Sequence, residues 1–149
     1  MSRRTFVGAL VAVAILASSI IPAYANTRWD KCKFQTLEAG FWTVHEVKLT
    51  IKCAVLHWPV TSSNPLMTPL EYALHIAYRE SRYQWDATNS SSGACGIFQH
   101  LPQYWPIRQN NFDIAYPKWR IAESCYDARA NIVVAIWMVH NGGWGPWGG

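Results

Sequence analysis

Met1 to Arg4 carries two arginines, Phe6 to Ile21 is an apolar run interrupted by Gly8, Ser18 and Ser19, and Ala23-Tyr24-Ala25 has small-x-small spacing. This order is that of an export leader with its cleavage site. Residues 1–25 are therefore expected to be removed, and taking 25 from 149 leaves 124 residues to build the fold. The apolar run falls short of the roughly 20 residues that cross a bilayer, and no later run is longer. No membrane span is expected after cleavage. Ser2-Arg3-Arg4-Thr5-Phe6-Val7 has the form of a twin-arginine signal, although an ordinary secretory leader accounts for it equally well. Either route ends outside the cytoplasm, in an oxidising compartment, so Cys32, Cys53, Cys95 and Cys125 read as two disulfides.

A chain of about this size suits one domain with one core, and nothing in it asks for a second copy, so a monomer is expected. The leader holds Arg3 and Arg4 and no acid, so the 13 Lys and Arg fall to 11 against nine Asp and Glu. A net charge of +2 with the basic residues scattered is too weak for a phosphate-binding face, and nucleic acid is excluded as a partner. There is no Cys-x-x-Cys and no pair of histidines at ligand spacing, so neither a metal site nor a cofactor is expected.

Three helices carry their own start and stop signals. Thr43-Val44-His45-Glu46 is a capping box, followed by Val44, Val47, Ile51, Ala54, Val55 and Trp58 at helical spacing until Pro59. Thr68-Pro69-Leu70-Glu71 is a second box with proline at the first helical position. This helix is expected to run to Ser81 with Leu70, Ala73, Leu74 and Ala77 inside, and three residues further along that face comes Glu80. Ser124-Cys125-Tyr126-Asp127 opens a third helix with Ala128, Ile132, Ala135, Ile136 and Val139 inside, ended by Asn141-Gly142-Gly143. Between them, Trp85 to Trp119 is rich in Ser, Gly, Gln, Pro and aromatics, with one short helix predicted around Ile97 to Leu101.

Glycoside cleavage requires an acid that still holds its proton near neutral pH, and a glutamate closing an apolar helical stripe is placed to do so. Glu80-Ser81 is followed by Asn89-Ser90 and then, 13 residues after the acid, by Gly93-Ala94-Cys95-Gly96-Ile97-Phe98-Gln99. In these residues the chain resembles the lytic transglycosylases, peptidoglycan-cleaving relatives of goose-type lysozymes. The likeness runs from Pro69 to Gly149 and is densest from Ala77 to Gln99.

The resemblance implies a mainly α, lysozyme-like domain over residues 65–149, preceded by a helical extension at 26–64. It implies peptidoglycan glycan strands as partner, Glu80 as the single catalytic acid and base, and Ser90, Phe98 and Gln99 lining the sugar groove. The family's Ala-Tyr-Asn-Ala-Gly element corresponds to Val139-His140-Asn141-Gly142-Gly143, which brings His140 and Asn141 into the candidate site and puts histidine where the family has tyrosine. One carboxylate implies a ring-closing lyase, whereas a hydrolytic lysozyme would want a second, for which Asp86 is nearest in sequence. The shorter resuscitation-promoting factors share some of these elements and rank third, and a non-catalytic wall-binding module is the reading from outside the enzymes.

Of the three connectivities that four cysteines allow, Cys32 with Cys53 and Cys95 with Cys125 is expected. The second bridge would tie the glycine-rich loop to the start of the last helix. Nine tryptophans are a high count for this length. Trp58 and Trp137 belong to the core by periodicity, while Trp105, Trp144 and Trp147 are open between core and sugar stacking.

Overall fold

The computed structural model describes residues 42–119 and 121–148. The expected leader at residues 1–25 and Cys32 lie outside them. The described chain is mainly helical, with four α-helices and, among the described residues, no strand. Helix α1 spans Val44–His57, α2 Pro69–Ser81, α3 Trp105–Ala115 and α4 Ala128–Gly142, and a 3₁₀ turn at Gly145–Trp147 follows.

Both capping boxes form. The Thr43 hydroxyl accepts from the Glu46 amide at 3.3 Å and the Glu46 carboxylate accepts from the Thr43 amide at 2.7 Å. Thr68 and Glu71 repeat the arrangement at 3.3 and 2.8 Å. These bonds satisfy amides that a helix start otherwise leaves open, each worth about 1 kcal/mol. In α1 the expected stripe is buried from Val47 onward, while Val44 in the first turn is exposed. In α2 the buried face is Tyr72, Ala73, Ile76 and Ala77, turned slightly from the expected stripe, and Leu70 and Leu74 sit at its half-buried margin. Both faces contain Ala73 and Ala77, so Glu80 still follows one turn on.

Helix α4 is the axis of the molecule. Every residue from Ala128 to Ile136 is buried, so the helix is enclosed on all sides rather than along one stripe. Helices α1 and α3 pack on it, and α2 packs on α1. Val47, Ile51 and Trp58 belong to the same core as Ile76, Phe98 and Ile132. From residue 42 onward, the stretch expected as a helical extension at 26–64 supplies α1 as one wall of the core shared by the described residues.

Three local expectations also change. The cap of α4 is Asp127, whose carboxylate accepts from the Ala130 amide at 2.7 Å, and not Ser124. Helix α3 stands where only irregular chain was expected. Residues 97–101 form no helix; Cys95 and His100 exchange backbone bonds at 3.0 Å and the chain turns between them.

Cys95 and Cys125 are bridged as expected, with Cα atoms 6.0 Å apart. Cys53 is also disulfide-bonded, and Cys32, its expected partner, lies outside the described residues.

Candidate functional site

Glu80 occupies the last turn of α2, at the point where the buried face meets solvent, and its side chain is 23% exposed. The helix stops at Ser81, one residue after Glu80, because Arg82 and Tyr83 both take left-handed backbone angles, φ 57° and 66°. Each costs about 1 kcal/mol for a side-chain-bearing residue, and nearby contacts offset it. The Arg82 amide donates to the Tyr78 carbonyl at 2.9 Å, its guanidinium lies 4.3 Å from the Tyr78 ring centre, and the Tyr83 hydroxyl donates to the Leu74 carbonyl at 3.1 Å. The chain therefore reverses sharply just beyond the acid.

Arg79 holds the carboxylate. Its Nη2 and Nε donate to Glu80 Oε1 at 2.6 and 3.1 Å, and Nη2 also donates to the Trp147 carbonyl. A general acid in glycoside cleavage carries its proton into the reaction, so this ion pair has to open for Glu80 to act as one.

The segment from Ala87 to His100 folds as two linked turns. The Asn89 amide donates to the Ala94 carbonyl at 2.9 Å, Gly93 to Asn89 at 2.8 Å and Gly96 to Ala87 at 2.9 Å. Asn89 Oδ1 accepts from the amides of Ser91 and Ser92 at 2.9 and 3.0 Å, which leaves Ser90 exposed at the tip. Gln99 is half-buried, with φ 49°, and its side-chain amide donates to the carbonyls of Ala87 and Gly96 at 3.2 and 2.8 Å. Its nitrogen thus braces the loop. Among the described residues, the three positive-φ residues other than glycine, Arg82, Tyr83 and Gln99, lie in these two segments, and backbone strain of this kind gathers at functional sites.

Phe98 departs from expectation. It is fully buried, 6.0 Å from the Trp147 ring and 6.5 Å from Trp144, so its side chain is core and not groove wall. The reason is Asn131. This buried amide accepts from the Phe98 backbone N–H at 2.8 Å and donates to the carbonyls of Cys95 and Cys125 at 3.0 and 2.8 Å, which draws the loop onto α4 and turns the ring inward. Gly96 makes the approach possible. At its φ of 73°, an added Cβ would stand 2.3 Å from Asn131 Nδ2 and 2.4 Å from the Cys125 carbonyl oxygen.

His140 and Asn141 are exposed. The His140 Nδ1 donates to the Pro59 carbonyl at 2.7 Å and the Asn141 amide to the Trp137 carbonyl, also at 2.7 Å. Among the described residues no hydrogen bond joins either to Glu80, and His140 ties the end of α4 to the chain leaving α1. Trp105, Trp144 and Trp147 are all buried, which places them in the core. Trp137, expected there, is partly buried against it.

Two buried polar features went unread in the sequence. Asn131 was signalled by its place in the apolar run Ala130 to Ala135, because a buried amide must find partners. His100 is fully buried. Burial, with the Arg108 charge added, lowers its pKa to about 3. The neutral ring accepts from Arg108 Nη1 at Nδ1, 3.0 Å, and therefore donates from Nε2 to the Asn131 carbonyl at 3.2 Å.

The other acids of the described residues are mostly committed. Glu46, Glu71 and Asp127 cap helices. Asp113 and Glu123 line a cavity of about 390 Å³ along α3, with Trp105, Pro106, Gln109 and Asn110. Burial pushes the Asp113 carboxyl up from its ordinary value, and Glu123 adds to the shift. None of the expected site residues lines this cavity. Exposed Asp86 is what remains as a second carboxylate. No group of three or more metal-binding side chains forms among the described residues, and no described helix is long and apolar enough to cross a membrane. Compared with protein-family models, with curated proteins and with solved structures, the chain matches none.

Proposed function

We propose that the chain is an exported lytic transglycosylase on a lysozyme-like fold, cleaving the β-1,4 bond between N-acetylmuramic acid and N-acetylglucosamine in peptidoglycan. Glu80 protonates the leaving oxygen, an oxocarbenium-like centre develops at C1, and the carboxylate then takes the proton of the same sugar's C6 hydroxyl as O6 closes on C1. The 1,6-anhydro product needs no water, no metal and no second carboxylate. The observation that carries this reading is Glu80 itself, a partly exposed acid ending a buried helical face. The commitment of three other acids to helix caps supports the single-acid route over the hydrolytic one.

A structural role for Glu80 within a non-catalytic wall-binding module is the second reading, favoured by the 2.6 Å pair with Arg79. Muropeptides released from purified cell walls decide between them by mass. Anhydro ends are expected from the wild type and almost none from Glu80→Gln, a loss of at least roughly 10²-fold for a missing general acid. Reducing ends would assign a hydrolase, and equal lysis by both proteins would remove Glu80 from the chemistry.

A further inference from the structure

One residue, Trp147, bonds both to the neighbour of Glu80 and to the neighbour of Gln99. The Trp147 indole N–H donates to the Phe98 carbonyl at 2.7 Å, and the Trp147 carbonyl accepts from Arg79, the residue that holds Glu80. The Phe98 peptide is thus fixed from two sides, its N–H by Asn131 and its carbonyl by Trp147. The next residue is Gln99 in its left-handed conformation. Trp147 is 6% exposed and packs edge-on to His100 at 5.8 Å, so its position is set by the core and not by solvent.

We infer that Trp147 is a positioning residue that sets the spacing between the Glu80 carboxylate and the Gln99 loop. This rests on the glycan-cleaving role of Glu80. When the Arg79–Glu80 pair opens for proton transfer, Arg79 keeps the Trp147 carbonyl as its anchor and stays beside the acid. The neighbouring Trp144 provides a matched comparison. It is equally buried, and its indole donates to the Thr61 carbonyl, also at 2.7 Å, away from both segments.

The test compares Trp147→Phe with Trp144→Phe, each of which keeps a ring and deletes one indole bond. Both are expected to lower the melting temperature by similar amounts. Only Trp147→Phe should lower kcat on purified glycan strands, by about tenfold with KM little changed, the rate equivalent of one net hydrogen bond. Amide hydrogen exchange gives a second readout that needs no activity. Residues 97–100 should exchange about tenfold faster in Trp147→Phe while Ile132 to Ile136 keep their protection, a tenfold step being about 1.4 kcal/mol of local opening. Equal kcat in the two variants, or a loss of protection spread evenly over α4, would overturn the inference. A wild type that releases no muropeptides, with the exchange pattern as expected, would instead refute the glycosidase reading and leave the positioning contact standing.

Discussion

Gly93 and Gly96 have nearly the same backbone, φ 71° and 73°, and opposite surroundings, which makes them a controlled pair. Replacing either with alanine puts a Cβ into the left-handed region at a cost of about 1 kcal/mol. At Gly93 the new methyl meets only Pro102 Cγ at 3.6 Å, ordinary van der Waals contact. At Gly96 it would overlap the Asn131 side-chain amide, which three hydrogen bonds hold in place, and the backbone carbonyl of Cys125, both far inside contact distance. Forcing them apart adds about 1–3 kcal/mol of overpacking. If the Asn131 to Cys125 bond breaks, an unsatisfied buried carbonyl adds about 1 kcal/mol more. Gly96→Ala is therefore expected to lose about 4 kcal/mol and Gly93→Ala about 1. In urea, with a slope of about 1.5 kcal/mol/M for a domain of this size, the two midpoints should differ by about 2 M. Midpoints within about 0.5 M of each other would show that the loop yields at Gly96, and that Asn131 does not clamp it.

Other expectations follow from the same contacts. His100 is neutral when folded and titrates normally when unfolded, so the unfolded chain binds the extra proton below pH 6.5; its contribution is complete above that pH and is lost on acidification toward pH 3. Urea unfolding between about pH 5.5 and 4 should show about 1.4 kcal/mol less stability per pH unit from this group, a slope missing in His100→Gln. Loss of the Cys95–Cys125 bridge, which spans 30 residues, should cost about 3–4 kcal/mol in Cys95→Ala/Cys125→Ala by the chain-entropy model; an unchanged melting temperature would contradict that. Thr68→Ala should cost about 1 kcal/mol by removing the α2 cap, without changing the products released from cell walls.

The parts of the fold legible in the sequence are those fixed by neighbours in the chain. Thr43 with Glu46 and Thr68 with Glu71 close their boxes within four residues, so both helix starts could be read directly. Helix α3 has no such signal. Its cap, Tyr104, makes no side-chain bond, and only Trp105 and Phe112 are buried. A long-range bond from the Trp105 indole to the Glu123 carbonyl, 2.6 Å, helps to seat it. At α4, Ser124 was a plausible cap, but its hydroxyl accepts from the Tyr126 amide at 3.2 Å in a local turn, and the helix waits for Asp127. A short helix was expected around Ile97 to Leu101, whereas the structure has a turn there with Ile97 and Phe98 buried. They are buried by a hairpin turn pressed onto α4, an arrangement that depends on Asn131, more than 30 residues away.

The candidate site divides along the same line. The place of Glu80 could be read because it depends only on the helical period of α2. The roles of Phe98 and Gln99 could not, because their backbone is decided by partners from three other segments. Asn131 fixes the Phe98 N–H, Trp147 its carbonyl, and the Cys95–Cys125 bridge ties the loop to the residue whose carbonyl Asn131 also bonds. The covalent tie and the amide clamp meet at Cys125, and Gly96 is the residue small enough to lie between them. A loop held this redundantly can keep Gln99 in a left-handed conformation that an unsupported turn would relax. Trp147 links this loop to the end of α2, which itself closes in two more left-handed residues, and rigidity of this kind is what the proposed glycan cleavage would require of the loop.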